Sequence, residues 1–194
     1  FLGTINRSWD NEKRAAAYLA FERGYTFLSE YEKAASFLHK ALAITEDPES
    51  TVVVLYQMGL TYKYSCNYDD ALATLHQALE ILSAESGGRR NKSTKSWSKY
   101  TALVHKQIGE VLSEQGKRDR KALGSFERAS VIMKEEDHGD ALELALLHRG
   151  IGVVHARLGN WDEAIDYLKL AHSSIGTDAN VDSPLRSQLC EQIR

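Results

Sequence analysis

The chain has 194 residues, 43% of them hydrophobic and 26% charged, with a formal net charge of −3. That is the composition of an ordinary soluble protein, long enough to bury a continuous core. No apolar run approaches the roughly 20 residues that a bilayer crossing needs, so no membrane is expected as a partner.

The opening stretch FLGTINRSWD has neither an initiator Met nor a long apolar region, so it reads as part of a longer protein rather than as a signal peptide. Pro48 and Pro184 are the only prolines, which leaves the chain between them without a helix breaker of that kind. Amphipathic spacing predicts helices over 10–29, 31–46, 51–65, 68–85, 97–115, 119–136, 139–158 and 161–175. A last segment, SPLRSQLCEQI over 183–193, pairs Ser183 as N-cap with Pro184 at the first helical position. It reads as a capping helix or as the start of a further repeat.

The helices repeat in pairs. In the second helix of each pair two alanines stand seven residues apart: Ala34 and Ala41, Ala71 and Ala78, Ala122 and Ala129, Ala164 and Ala171. Seven residues are two helical turns, so each pair lies on one stripe. In the first helix a glycine recurs at one register, Gly59, Gly109 and Gly152, with Glu22 in its place in the first unit. A mid-helix glycine costs about 1 kcal/mol against Ala. Three at one register therefore call for close approach of a neighbouring helix, and the paired alanines are the expected matching surface. The repeats are read as 10–46, 51–85, 97–136 and 139–175, within an array over 10–176.

Between the second and third repeats, ESGGRRNKSTKSWSK sets five basic residues (Arg89, Arg90, Lys92, Lys95, Lys99) against Glu85. Gly87, Gly88 and the serines predict a basic, flexible insertion over 84–97, with Ser93 a candidate phosphorylation site. So short a basic run on an acidic chain does not suggest nucleic acid as a partner.

No catalytic constellation emerges, and an enzyme is not expected. RGIG, ending at Gly152, follows a helical pattern and lacks the third glycine of a dinucleotide fingerprint. GGRRNKST places Asn91 where a phosphate loop requires glycine before Lys92. Acidic pairs such as Asp69–Asp70 and Asp162–Glu163 stand at helix starts, where carboxylates complement the helix dipole. His148 and His155 lie two turns apart on one helix and read as packed or solvated residues rather than metal ligands. Cys66 and Cys190 sit in no metal-like spacing and read as reduced thiols of an intracellular, cytoplasmic protein. No metal and no cofactor are expected.

Glycine, then a large residue three later, then the turns CNYDDA and GNWDEA with a final alanine resemble the tetratricopeptide repeat (TPR). Long repeat spacing and endings such as ALAITE and ALEILSAE are similar to its kinesin-light-chain-like branch. The resemblance implies an all-α, right-handed α-solenoid of about four helix pairs plus a C-terminal capping helix. It further implies a non-enzymatic scaffold that binds a peptide or helix of a partner protein in a concave groove lined by the first helices. Carried over by position, the groove residues would be Arg23 and Phe27, then Tyr56, Leu60, Lys63 and Tyr64, then Lys106 and Glu110, then Arg149, Val153 and Arg157. Aromatics among cations suit a ligand with apolar anchors and acidic flanks. The asparagine–lysine clamp of some members is not expected, because Leu60 and Glu110 replace its polar or basic positions. The rival readings are homo-oligomerisation and a regulatory segment of a larger multidomain protein.

Overall fold

The computed structural model describes residues 10–86, 94–116, 118–135 and 141–176. They form eight helices: α1 (Asn11–Phe27), α2 (Tyr31–Leu42), α3 (Pro48–Tyr64), α4 (Tyr68–Ser86), α5 (Thr94–Glu114), α6 (Asp119–Glu135), α7 (Ala141–Arg157) and α8 (Trp161–Gly176). No strand occurs among the described residues. By internal contacts the helices fall into two units, α1–α4 and α5–α8. Within the first, α1 packs on α2, α2 on α3 and α3 on α4; within the second, α5 packs on α6, α6 on α7, α7 on α8, and α5 also meets α7.

Several helix ends differ from the sequence reading. Helix α3 begins at Pro48 rather than 51, because the Asp47 side chain accepts the Ser50 N–H at 2.8 Å and proline needs no donor in the first turn. Helix α2 correspondingly stops at Leu42 instead of 46. The expected insertion over 84–97 is shorter: α4 runs to Ser86 and α5 starts at Thr94, and residues 87–93, with Ser93, lie outside the described residues. So does the segment 183–193.

One turn design joins the helices of the first, second and fourth pairs. The N–H of Glu30, Asn67 and Asn160 donates back five residues to the carbonyl of Tyr25, Tyr62 and His155, at 2.8, 2.9 and 3.0 Å. The residue before each of these is left-handed: Ser29 at φ 59°, Cys66 at 61° and Gly159 at 81°, with Gly116 at 71° in the third pair. This is the Schellman helix stop, which satisfies carbonyls that the helix end would orphan. The next helix starts at once, and its early hydrogen bonds fall on the anchor alanines. Ala34, Ala71, Ala122 and Ala164 donate to the carbonyls of Glu30, Asn67, Arg118 and Asn160.

The glycine notches are occupied, though not by the alanines expected to match them. A Cβ built on Gly59 would stand 2.7 Å from the Leu75 side chain, and one on Gly109 2.7 Å from the Phe126 ring. On Gly152 it would meet Leu168 at 3.0 Å and the Ala164 carbonyl at 3.2 Å. In each pair the filling side chain stands four residues after the first anchor alanine, one turn along the same stripe. The alanines themselves are buried, none more than 3% exposed. Phe126 serves two notches, since a Cβ on Gly150 would lie 2.8 Å from its ring tip. The first pair is built differently. Phe37 packs against Phe21 and Tyr25 with ring centroids 5.2 and 5.5 Å apart, and Tyr18 lies 6.1 Å away.

Candidate partner-binding face

Four register positions on each first helix carry the residues proposed from sequence, and the two units fill them with different chemistry. The last helical residue is Phe27 in α1 and Tyr64 in α3, but Glu114 in α5 and Arg157 in α7. Four residues earlier stand Arg23, Leu60, Glu110 and Val153; four earlier again stand Leu19, Tyr56, Lys106 and Arg149. The remaining position holds Thr26, Lys63, Ser113 and Ala156.

In the first unit this face is aromatic and open. Phe27 is 89% exposed and Tyr64 50% exposed. Two neighbours contact Tyr64: the Tyr31 ring stacks 6.3 Å away and the Lys63 ammonium lies 5.2 Å from its centroid. Lys63 itself is largely buried, with its stem covered by the fold. Arg23 is exposed and donates to the Leu19 carbonyl one turn back at 3.4 Å. Tyr56 and Leu60 are half-buried. Leu28, 62% exposed, extends the apolar surface beyond Phe27; no periodicity argument selects it, because it lies in the turn.

In the second unit the corresponding charges are engaged within the fold. Lys106 is only 3% exposed; it pairs with Glu143 of α7 and lies 3.9 Å from Glu110. Arg157 donates to the Ser113 carbonyl at the end of α5 and sits 3.3 Å from Asp119 at the start of α6. These two cations thus tie α5, α6 and α7 together; Lys106 is enclosed by the fold, while Arg157 keeps 40% of its side chain exposed. Arg149 and Val153 are half-buried. Nothing in the spacing around Lys106 singles out Glu143, since the pair depends on how α5 meets α7.

Two buried ionisable groups lie near this face. Glu22, which replaces the recurrent glycine in α1, is 3% exposed, and burial pushes its carboxyl above the usual range. Its Oε1 accepts the Thr26 hydroxyl at 2.9 Å and the Thr61 hydroxyl of α3 at 3.4 Å, while Oε2 has no partner. His148 is held below the ordinary imidazole value, first by burial and then by Lys134. Both His148 and His155 pack on the Tyr167 ring of α8, at 6.1 and 5.5 Å. Among the described residues no His, Cys, Asp and Glu group could hold a metal ion, and no helix is long and apolar enough to cross a membrane.

A family model described as tetratricopeptide repeat matches residues 17–51, which run from within α1 through α2 to the start of α3. No curated protein matches the sequence. Among solved structures the chain is similar to BtubC (BKLC) from P. vanneervenii, at 17% identity and a TM-score of 0.76, covering 95% of this chain and 73% of that one. It is also similar to a Podosopora anserina protein described as a kinesin light chain with nearly identical TPR-like repeats, at 16% identity and a TM-score of 0.65, over 93% of each chain. A third, the RS-1 MamA double mutant, aligns at 16% identity and a TM-score of 0.57, over 93% of this chain and 92% of that one. The fold is therefore that of a tetratricopeptide-repeat α-solenoid, and its neighbours include kinesin-light-chain-like repeats, as the glycine and alanine pattern implied.

Proposed function

We propose that this chain is a non-enzymatic interaction scaffold that binds a peptide or helix of a partner protein on the first-helix face of its repeats, with the α1–α3 unit supplying the main anchors. The observation that carries this is the exposure of Phe27 and Tyr64 at equivalent positions of α1 and α3. Neither ring is needed to fill a core, and large exposed aromatics on one face mark interaction surfaces. The preferred ligand has apolar side chains spaced to meet both rings. Arg23 beside them favours acidic flanks. Lys106 contributes little to that preference, because its buried charge is already matched by Glu143.

Peptides selected from a random library against the intact chain provide the test. Phe27→Asp combined with Tyr64→Asp is expected to raise their Kd at least about tenfold, a loss of about 1.4 kcal/mol, with helical circular dichroism unchanged. Lys106→Met should leave the Kd within about twofold. Selected ligands that ignore the two aromatic substitutions would remove the face from consideration.

A further inference from the structure

The first helix pair departs from the other three at one buried position. Where α3, α5 and α7 carry Gly59, Gly109 and Gly152, α1 carries the enclosed Glu22. Its carboxyl reaches from α1 to α3. Oε1 accepts the Thr26 hydroxyl of its own helix and the Thr61 hydroxyl of α3, and Thr61 is itself buried. Oε2 is equally enclosed and has no hydrogen-bond partner. Helix α1 packs mainly on α2, and α2 on α3, so this cluster is a direct tie between the two first helices. It also adjoins the candidate ligand face, with Thr26 next to Phe27 and Thr61 one turn before Tyr64.

The charges around Glu22 are engaged elsewhere. Arg23, the next residue of α1, acts on the carboxyl but is exposed. On α2, Lys33 pairs with Glu30, His39 meets the Tyr62 hydroxyl of α3 at 3.1 Å, and Lys40 lies over the Phe37 ring. On α3, the Lys63 ammonium lies against the Tyr64 ring. An ionised Glu22 therefore holds a buried charge with one oxygen bare, which costs far more than holding the neutral acid. The neutral acid still accepts both hydroxyls at Oε1. Ionisation is relieved when water reaches Oε2, which requires α1 to draw away from α3. We propose that Glu22 is a proton-operated latch on the seam between α1 and α3: the neutral acid closes the seam and holds Phe27 and Tyr64 as one face, and ionisation loosens it. Its effect on a ligand rests on the reading of that face given above. Since burial raises the Glu22 carboxyl, the latch's stability is complete below the ordinary glutamate range and is lost as the pH rises through the raised value.

The intact chain and its Glu22→Gln variant, which keeps the acceptor oxygen but cannot ionise, provide the test. In urea unfolding, the variant's folding equilibrium constant relative to that of the wild type should rise at least about threefold between about pH 5 and about pH 8. Over the same interval, hydrogen exchange corrected for intrinsic rates should show the α1 amides of the wild type opening at least about threefold more often, with the variant unchanged. A peptide selected on the intact chain should lose at least about twofold more affinity in the wild type than in the variant, a comparison in which the peptide's own titration cancels. On the unmodified chain alone, the carbon-13 shift of the Glu22 carboxyl should titrate with the same midpoint as the α1 opening. Equal pH slopes in the two proteins, or an opening that does not follow the Glu22 carboxyl, would overturn the latch. Peptides that ignore the Phe27 and Tyr64 substitutions while the seam still follows Glu22 would instead discard the ligand face and leave the latch standing.

Discussion

The two units use one backbone plan for opposite ends. At the same register of the first helices, α1 and α3 present Phe27 and Tyr64 outward, while α5 and α7 present Glu114 and Arg157. Arg157 and Lys106 then fold back on Ser113, Asp119 and Glu143 to bind three helices together. An equivalent position is therefore an exposed aromatic in one unit and a structural tie in the other. What differs is whether the side chain finds a partner inside the fold, and that depends on packing of α7 against α5 rather than on the repeat itself. The turns show the same divergence. Ser29 and Cys66 hold a left-handed conformation that glycine holds in Gly116 and Gly159, so the first unit carries backbone strain of about 1 kcal/mol per turn that the second avoids.

The largest effect should appear where the second unit is most tightly keyed. Phe126, 1% exposed and pressed against both Gly109 and Gly150, joins α6 to α5 and α7. Phe126→Ala should cost about 3–5 kcal/mol in urea unfolding. Gly109→Ala should cost about 1–3 kcal/mol despite alanine's better helix propensity, because its Cβ would overlap a rigid ring. Gly24→Ala in α1 is the matched control: nothing lies within 4 Å of its Cβ, so it should stabilise by up to about 1 kcal/mol. If Gly109 and Gly24 responded alike, the notches would be incidental to packing.

A smaller effect sharpens the comparison of turns. Cys66→Gly should stabilise by about 0.5–1 kcal/mol, the relieved strain partly offset by the freer unfolded chain. Gly159→Ala should destabilise by about 1 kcal/mol, purely through backbone strain, since its surroundings are open. Thermal unfolding of the two variants should shift in opposite directions. A stabilising Gly159→Ala would mean that the turns are not under the constraint their dihedrals indicate.

Much of the fold was legible because small residues are informative about spacing. Alanines seven apart and glycines at one register sufficed to place eight helices in four pairs. They did not reveal what fills each notch: a glycine announces close approach, while Leu75, Phe126 and Leu168 are large residues of a kind found throughout a core. The start of α3 was missed because Pro48 reads as a breaker until its Asp47 cap is seen. Ser29 and Cys66 gave no sign of a left-handed residue, since neither is glycine. On the candidate face, Phe27 and Tyr64 follow from helical register, because exposure at a helix end is local. The internal partners of Lys106 and Arg157 were not legible for the complementary reason, as they lie 37 to 44 residues away in sequence.

The claim that the first unit carries the open binding face is tested most directly by chemical-shift mapping of the intact chain with a selected peptide. The account predicts that perturbations cluster on Arg23, Phe27, Tyr56, Leu60 and Tyr64, with Lys106 and Arg157 little changed. Perturbations concentrated on the α5 and α7 positions, with Phe27 and Tyr64 unmoved, would contradict it.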